Sequence, residues 1–177
     1  MRFVATDVDG VKIVELEGHK DTRGYFARTF CEEEFARAGI SMRIAQTNIS
    51  RNPHKLTLRG MHYQEEPHGE EKIVQCVRGR IFDVAVDLRS KSPSYCRWSA
   101  VELSPEINRV FYIPSGCAHG FLTLEDDSDI VYLMGQHFVA GSSGGVRWND
   151  PAFGIVWPAM PVEISGRDLG YGDYSGR

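Results

Sequence analysis

Four short segments carry residue types that move protons or hold anions. The first is Leu58-Arg59-Gly60-Met61-His62-Tyr63-Gln64. On a strand, Leu58, Gly60, His62 and Gln64 share one face and Arg59 points to the other. Gly60 puts no side chain next to His62, which leaves space for a ligand. A histidine is the default general base near neutral pH, although His62 taken alone reads more readily as structural. The second segment is Ile113-Pro114-Ser115-Gly116-Cys117-Ala118-His119-Gly120-Phe121, where Pro and Gly set a turn that delivers His119 at the mouth of a barrel. The third is Ile130-Val131-Tyr132-Leu133-Met134-Gly135-Gln136-His137-Phe138. Tyr132 and Phe138 share parity and face one cavity unless Gly135 introduces a bulge. A tyrosine donates a proton where an enolate takes the charge; an ordinary core tyrosine is the competing reading. The fourth, Asp21-Thr22-Arg23-Gly24-Tyr25-Phe26, sets an arginine before two aromatics. That suits phosphate binding with base stacking, and a solvated turn arginine is the plainer alternative.

These residues need a scaffold, and the punctuation of the chain is that of an all-β protein. Short apolar runs alternate with Gly, Pro, Asp and Ser clusters. Strands are expected at Val11–Leu16, Tyr25–Phe30, Met42–Ser50, Leu58–Gln64, Lys72–Arg78, Arg80–Arg89, Trp98–Leu103, Val110–Ile113, Gly120–Leu124, Ile130–His137 and Gly145–Trp148. Many short strands and few helical patterns predict a sandwich or barrel such as a jelly roll. One short helix fits Glu32–Arg37, closed by Gly39. In Ile81-Phe82-Asp83-Val84-Ala85-Val86-Asp87-Leu88 the even positions are all apolar, while Asp83 and Asp87 lie on the odd face. One face therefore packs in a core and the other meets water or a polar cavity. Gly79 between two strand patterns predicts a tight hairpin.

At 177 residues the chain reads as one domain spanning 1–177, with Gly170–Arg177 as a mobile tail. A formal net charge of -4 speaks against a nucleic-acid binder. No apolar run reaches the ~18–20 residues of a transmembrane helix, and the start lacks a signal core. A cytoplasmic protein is expected. Cys31, Cys76, Cys96 and Cys117 form no Cys-x-x-Cys pair, so free thiols are expected rather than a zinc or redox motif.

The segment around His119, Pro-x-Gly-x-x-His before an apolar strand, resembles the second motif of cupins. Metal-binding cupins also need His-x-His and a Glu, and this chain has His62-x-Gln64. Imidazole-poor sites bind transition metals weakly, so no metal is expected. The ordered set of motifs is similar to the dTDP-4-dehydrorhamnose 3,5-epimerase family over about Val11 to Asp168. It comprises Asp21-x-Arg23-Gly24-x-Phe26, Gln46-x-Asn48-x-Ser50, Leu58-Arg59-Gly60-x-His62-Tyr63-Gln64 and Lys72-Ile73-Val74. It continues through Val77-x-Gly79-x-Ile81 to Arg89, Ile113-Pro114-x-Gly116-x-Ala118-His119-Gly120-Phe121, Trp148-Asn149-Asp150-Pro151 and Ser165-x-Arg167-Asp168.

The resemblance implies a cupin-type jelly roll, a homodimer with a swapped or shared strand, and no cofactor. The implied substrate is a nucleotide-diphospho-4-keto-6-deoxy sugar, used in deoxysugar biosynthesis for surface polysaccharides. It implies His62 as base, Asp168 as the carboxylate that orients it, Tyr132 as acid on the opposite face, and Lys72 as the cation beside the enolate. Arg23, Gln46, Asn48, Arg59, His119 and Arg167 match positions holding diphosphate and sugar, and Phe26 and Phe138 match the base-stacking positions. Two departures touch the nucleotide end: Arg28 stands where the family has Glu, and Phe138 where Tyr is usual. Competing readings are a monoepimerase, a GDP- or CDP-sugar epimerase, a metal-dependent cupin oxygenase or isomerase, and a non-catalytic sugar-binding cupin.

Overall fold

The structure, a computed structural model, describes residues 1–176. The strands are β1 (Arg2–Ala5), β2 (Lys12–Glu15), β3 (Gly18–Asp21), β4 (Gly24–Ala27), β5 (Gln46–Asn52), β6 (Thr57–Gln64) and β7 (Lys72–Arg78). They continue as β8 (Ile81–Asp87), β9 (Trp98–Leu103), β10 (Arg109–Ile113), β11 (Cys117–Thr123), β12 (Ser128–Met134), β13 (Ser143–Gly145) and β14 (Glu163–Ile164). Two α-helices, α1 (Glu32–Arg37) and α2 (Gly166–Leu169), and a 3-10 turn at Ala140–Ser142 complete the set, so the expected jelly roll with one or two short helices is what forms.

One sheet runs β1-β2-β10-β7-β12-β5 and the facing one β13-β6-β11-β8-β9, with β14 beside β6. Strand parity divides the side chains into three layers. Between the sheets lie Val74, Cys76, Ile81, Ala85, Phe111, Cys117, Phe121 and Ile130. Outside the first sheet, Phe35 of α1 packs with Val14, Ile73, Val110 and Tyr112. Outside the second, Met61, Val84, Val86, Leu88, Ala118 and Val146 pack together. The odd face of β8 therefore points between the sheets, where Asp83 and Asp87 are wholly buried. The same inter-sheet face is apolar at one end and polar at the other, and the polar end is the cavity described below.

Several expectations are corrected. The turn at Gly79 is not a hairpin: β7 and β8 belong to different sheets, and the turn crosses between them. Gly79 has φ +70°, and a Cβ there would lie 2.4 Å from Ser128 Oγ. Tyr25–Phe30 is not one strand; β3 and β4 form a separate hairpin ending at Ala27. Met42 precedes β5 and packs outside the first sheet instead of continuing a strand. Within the expected tail Gly170–Arg177, residues up to Gly176 are described, and Asp173 and Tyr174 among them contact the body of the protein. Asp173 pairs with Arg147 at 2.6 Å, and the Tyr174 N–H donates to Asp150 Oδ2 at 2.6 Å. Arg177 lies outside the described residues. No helix among the described residues is long and apolar enough to cross a membrane.

The strand carrying His62 breaks simple alternation. Against β11, His62 pairs with His119 but Arg59 pairs with Phe121, so β6 holds one extra residue there. That bulge turns Arg59 and His62 to the same side. The space beside Gly60 is filled by backbone and does not open to a ligand: a Cβ would fall 2.5 Å from Gly120 Cα, at a φ of +140°. Backbone cannot yield as a side-chain tip does. Gly60→Ala should therefore lose at least about 2 kcal/mol through strained φ and overpacking. The check is a urea midpoint that falls while m stays constant.

Candidate active site

A cavity of about 510 Å³ opens at the polar end of the sandwich, within the size range of small-ligand sites. Gln46, Asn48 and Ser50 reach it from β5, Arg59, His62 and Gln64 from β6, Lys72 from β7, His119 from β11 and Tyr132 from β12. Phe138, Ser143 and Arg167 close its rim. A larger hollow of about 950 Å³ beside Trp98 holds no histidine or tyrosine, so chemistry rather than size selects the site.

His62 Nε2 lies 2.6 Å from Asp168 Oδ1, and the Gly60 N–H donates to Asp168 Oδ2 at 3.2 Å. Asp168 itself is buried, and its N–H donates to Ser165 Oγ at the start of α2. Neutral His62 thus donates from Nε2 to Asp168, which leaves Nδ1 as its proton-accepting nitrogen. Burial pushes the Asp168 carboxyl up, but the hydrogen bonds from His62, Gly60 and Ser165, and the charge His62 carries when protonated, outweigh it and hold it below the usual range.

That depressed value has a pH consequence. A carboxylate with a lowered folded pKa stabilises fully above its ordinary value of about 3.9 and stops doing so as pH falls through the folded value. Asp168→Asn should therefore flatten the acid limb: the gap in urea midpoint between wild type and variant is largest near neutral pH and closes at low pH. An equal gap at every pH would contradict this.

Tyr132 stands on the first sheet, facing the second, with His119 edge-on at 6.1 Å and 76°. Burial, then the nearby Asp83 charge, push the Tyr132 phenol well up against the opposing Arg59 and Ser50. It is therefore a neutral hydroxyl that still carries its proton. His119 Nε2 is 2.7 Å from Asp83 Oδ1, and both are buried. Burial pushes Asp83 up, opposed by His119 and Lys72, and its Oδ2 has no hydrogen-bond partner.

Lys72 is buried and its Nζ donates to Glu70 Oε1 at 2.7 Å. Arg59 donates to Asn52 Oδ1 at 2.7 Å and Arg167 to Ser143 Oγ at 2.8 Å. Among the described residues neither arginine is paired with a carboxylate, so two cations with neutral partners face the cavity. The Phe138 N–H donates to Gln46 Oε1 at 3.0 Å, which ties the rim aromatic to β5.

Of the residues singled out in the sequence, His62, Asp168, Tyr132, Lys72, Gln46, Asn48, Arg59, His119, Phe138 and Arg167 come together here. Arg23, Phe26 and Arg28 do not. Arg23 is exposed and pairs with Asp21 at 2.6 Å, and Phe26 is 75% exposed on the β3–β4 hairpin. Arg28 pairs with Glu34 at 3.2 Å. Sequence reading missed Glu70 and did not assign Asp83 a place in the site. The signals were present: Glu70 stands two residues before Lys72, and Asp83 is an acid on the polar face of β8. Among the described residues no group of three or more His, Cys, Asp or Glu is arranged to hold a metal.

His62 on one sheet, held by Asp168 of α2, faces a neutral phenol on the other sheet with Arg59 and Arg167 beside them, an arrangement that fits a cupin-type jelly roll of the sugar-epimerase class. The chain belongs to the dTDP-4-dehydrorhamnose 3,5-epimerase family, whose sequence profile matches residues 5–174. It is similar to the dTDP-4-dehydrorhamnose 3,5-epimerase of Methanothermobacter thermautotrophicus, with 44% identity over 92% of this chain and 86% of that protein. Its fold is similar to a dTDP-6-deoxy-D-glucose-3,5-epimerase from Legionella pneumophila solved with dTDP-4-keto-L-rhamnose: TM-score 0.90, 36% identity, 96% and 90% of the two chains. It is also similar to a 3'-monoepimerase from Streptomyces bikiniensis solved with dTDP-quinovose: TM-score 0.87, 36% identity, 94% and 84% of the two chains.

Proposed function

We propose that this chain inverts C3 and C5 of dTDP-4-dehydro-6-deoxyglucose, giving dTDP-4-dehydrorhamnose, by proton transfer through an enolate. The observation that carries this reading is His62, held by Asp168 of α2, and the neutral Tyr132 phenol projecting from facing sheets into one cavity. A C–H beside a ketone is acidic because its electrons delocalise onto the carbonyl oxygen. His62 Nδ1 takes that proton, and Asp168 stabilises the imidazolium that results. The electron pair moves to O4, where Lys72 meets the developing charge. Tyr132 returns a proton to the opposite face of the same carbon, which inverts it. The electron pair returns to that carbon, and water then takes the proton from the His62 imidazolium and gives one back to the Tyr132 phenolate before the second centre is treated.

Arg59 and Arg167 supply charge for the diphosphate, helped by Gln46, Asn48 and His119. Phe138 offers an aromatic face to the nucleobase. Arg23 and Phe26 complete the site from a second copy: every position of the β3–β4 hairpin except Ala27 is exposed, which suits a homodimer that shares these strands. The place of work is the cytoplasm, consistent with four unpaired cysteines.

Proton NMR in deuterated water with dTDP-4-keto-6-deoxyglucose tests the reading. Deuterium entering C3 and C5 supports it. Uptake at C3 alone makes the chain a monoepimerase, and no uptake by folded protein overturns the assignment for this nucleotide and directs the test to GDP- and CDP-linked sugars.

A further inference from the structure

The C-terminal segment gives the proposed base more than its carboxylate. Tyr171 follows α2, and its ring meets His62 edge-on, with centroids 6.3 Å apart and planes at 69°. It is not among the residues lining the cavity, so it reaches His62 from outside the substrate space. The ring fits there because of an absence on β13. Gly145 is the register partner of His62, and a Cβ at Gly145 would fall 2.1 Å from Tyr171 Cζ and 2.4 Å from its Cε2. A glycine across from the base thus makes room for an aromatic ring against it.

The Tyr171 hydroxyl is buried without a hydrogen-bond partner. An unpaired buried hydroxyl is a net cost, so what this position contributes is the ring. The segment beyond it is fastened by the Asp173–Arg147 pair and by Tyr174, which packs on Phe153 at 5.0 Å and bonds Tyr95 through its hydroxyl at 3.0 Å. The hydrogen bond from Nε2 to Asp168 holds a point of the His62 ring close to the Cβ–Cγ axis and restrains rotation about that axis only weakly. A contact across the ring removes that freedom.

We propose that Tyr171, seated in the space left by Gly145, is a positioning residue that fixes the plane of the His62 ring with Nδ1 aimed into the cavity. The inference rests on His62 acting as the base. Groups that orient a reacting side chain are worth roughly 10–100-fold in rate, the scale of a misplacement of about 1 Å.

Wild type, Tyr171→Ala, Tyr171→Phe, Gly145→Ala and the Gly145→Ala/Tyr171→Ala double variant are compared on dTDP-4-keto-6-deoxyglucose. Two readouts are used: exchange kinetics and the downfield NMR signal of the His62 Nε2 proton. Tyr171→Ala should lower kcat roughly 10–100-fold, leave KM within about twofold and lose the imidazole signal to exchange with water. Tyr171→Phe keeps the ring and should rescue both readouts. Gly145→Ala should imitate Tyr171→Ala, because the methyl displaces the far end of the tyrosine. The double variant should be no slower than Tyr171→Ala alone, since the methyl then enters vacated space. Wild-type kcat in folded Tyr171→Ala, failure of Phe to rescue, or additive losses in the double variant would each overturn the proposal. Exchange that survives His62→Ala removes the base reading instead, and the imidazole signal then still decides whether Tyr171 orders the ring.

Discussion

His62→Ala abolishes deuterium entry at both C3 and C5 while leaving nucleotide affinity within about twofold of wild type; the expected fall in exchange is roughly 10²–10⁴-fold. The split follows from where the side chain stands. His62 lines the cavity with its Nε2 committed to Asp168, whereas the cavity's two cations with neutral partners, proposed above to meet the diphosphate, are Arg59 and Arg167. Removing the imidazole deletes the acceptor for both protons without touching those cations. Single-turnover exchange by NMR and titration with dTDP separate the two effects. Normal exchange in the variant would transfer the base role to another group, and a parallel loss of dTDP binding would mean that the cavity had collapsed.

Tyr132→Phe separates the two halves of the reaction. The phenol is held neutral by burial, so its contribution is the proton it gives. Without it His62 still abstracts, and the same nitrogen can return deuterium to the face it came from. Uptake with retention should therefore persist, while inverted product falls roughly 10²–10⁴-fold. The measurement is the ratio of deuterium incorporated to product formed, which should rise steeply in the variant. If both decline in proportion, the division of labour between His62 and Tyr132 is wrong. Phenylalanine retains the edge-on contact with His119, which guards against a packing artefact.

Much of this site was legible before any coordinates. β7, β9 and α1 fall on the boundaries their periodicity and composition predict. Their signals are local: apolar alternation for the strands, acidic residues in the first turn and Gly39 at φ +80° just past the end for the helix. The ordered motifs that carry His62, Lys72, His119, Tyr132 and Asp168 were local in the same sense. The errors came where a contact between distant strands overrode local pattern. Gly79 looked like a hairpin glycine, and it bends the chain from one sheet to the other because Ser128 closes over it.

The sequence by itself therefore determined the all-β class, the ordered motifs of the family and the absence of any helix pattern long enough to compete with the strands. These follow from residue types and short-range periodicity, which no later contact alters. Tertiary structure alone decided which of those residues meet. The bulge against β11 turns Arg59 to the side of His62, contrary to strand parity. The fold carries Asp168 back from a position 106 residues away to within 2.6 Å of His62. It also leaves Arg23, Phe26 and Arg28 outside their own cavity. Side-chain parity is set by adjacent residues, but register, sheet exchange and the return of the C-terminal segment are set by which backbones pair across the sandwich, and that pairing is written nowhere in any one strand.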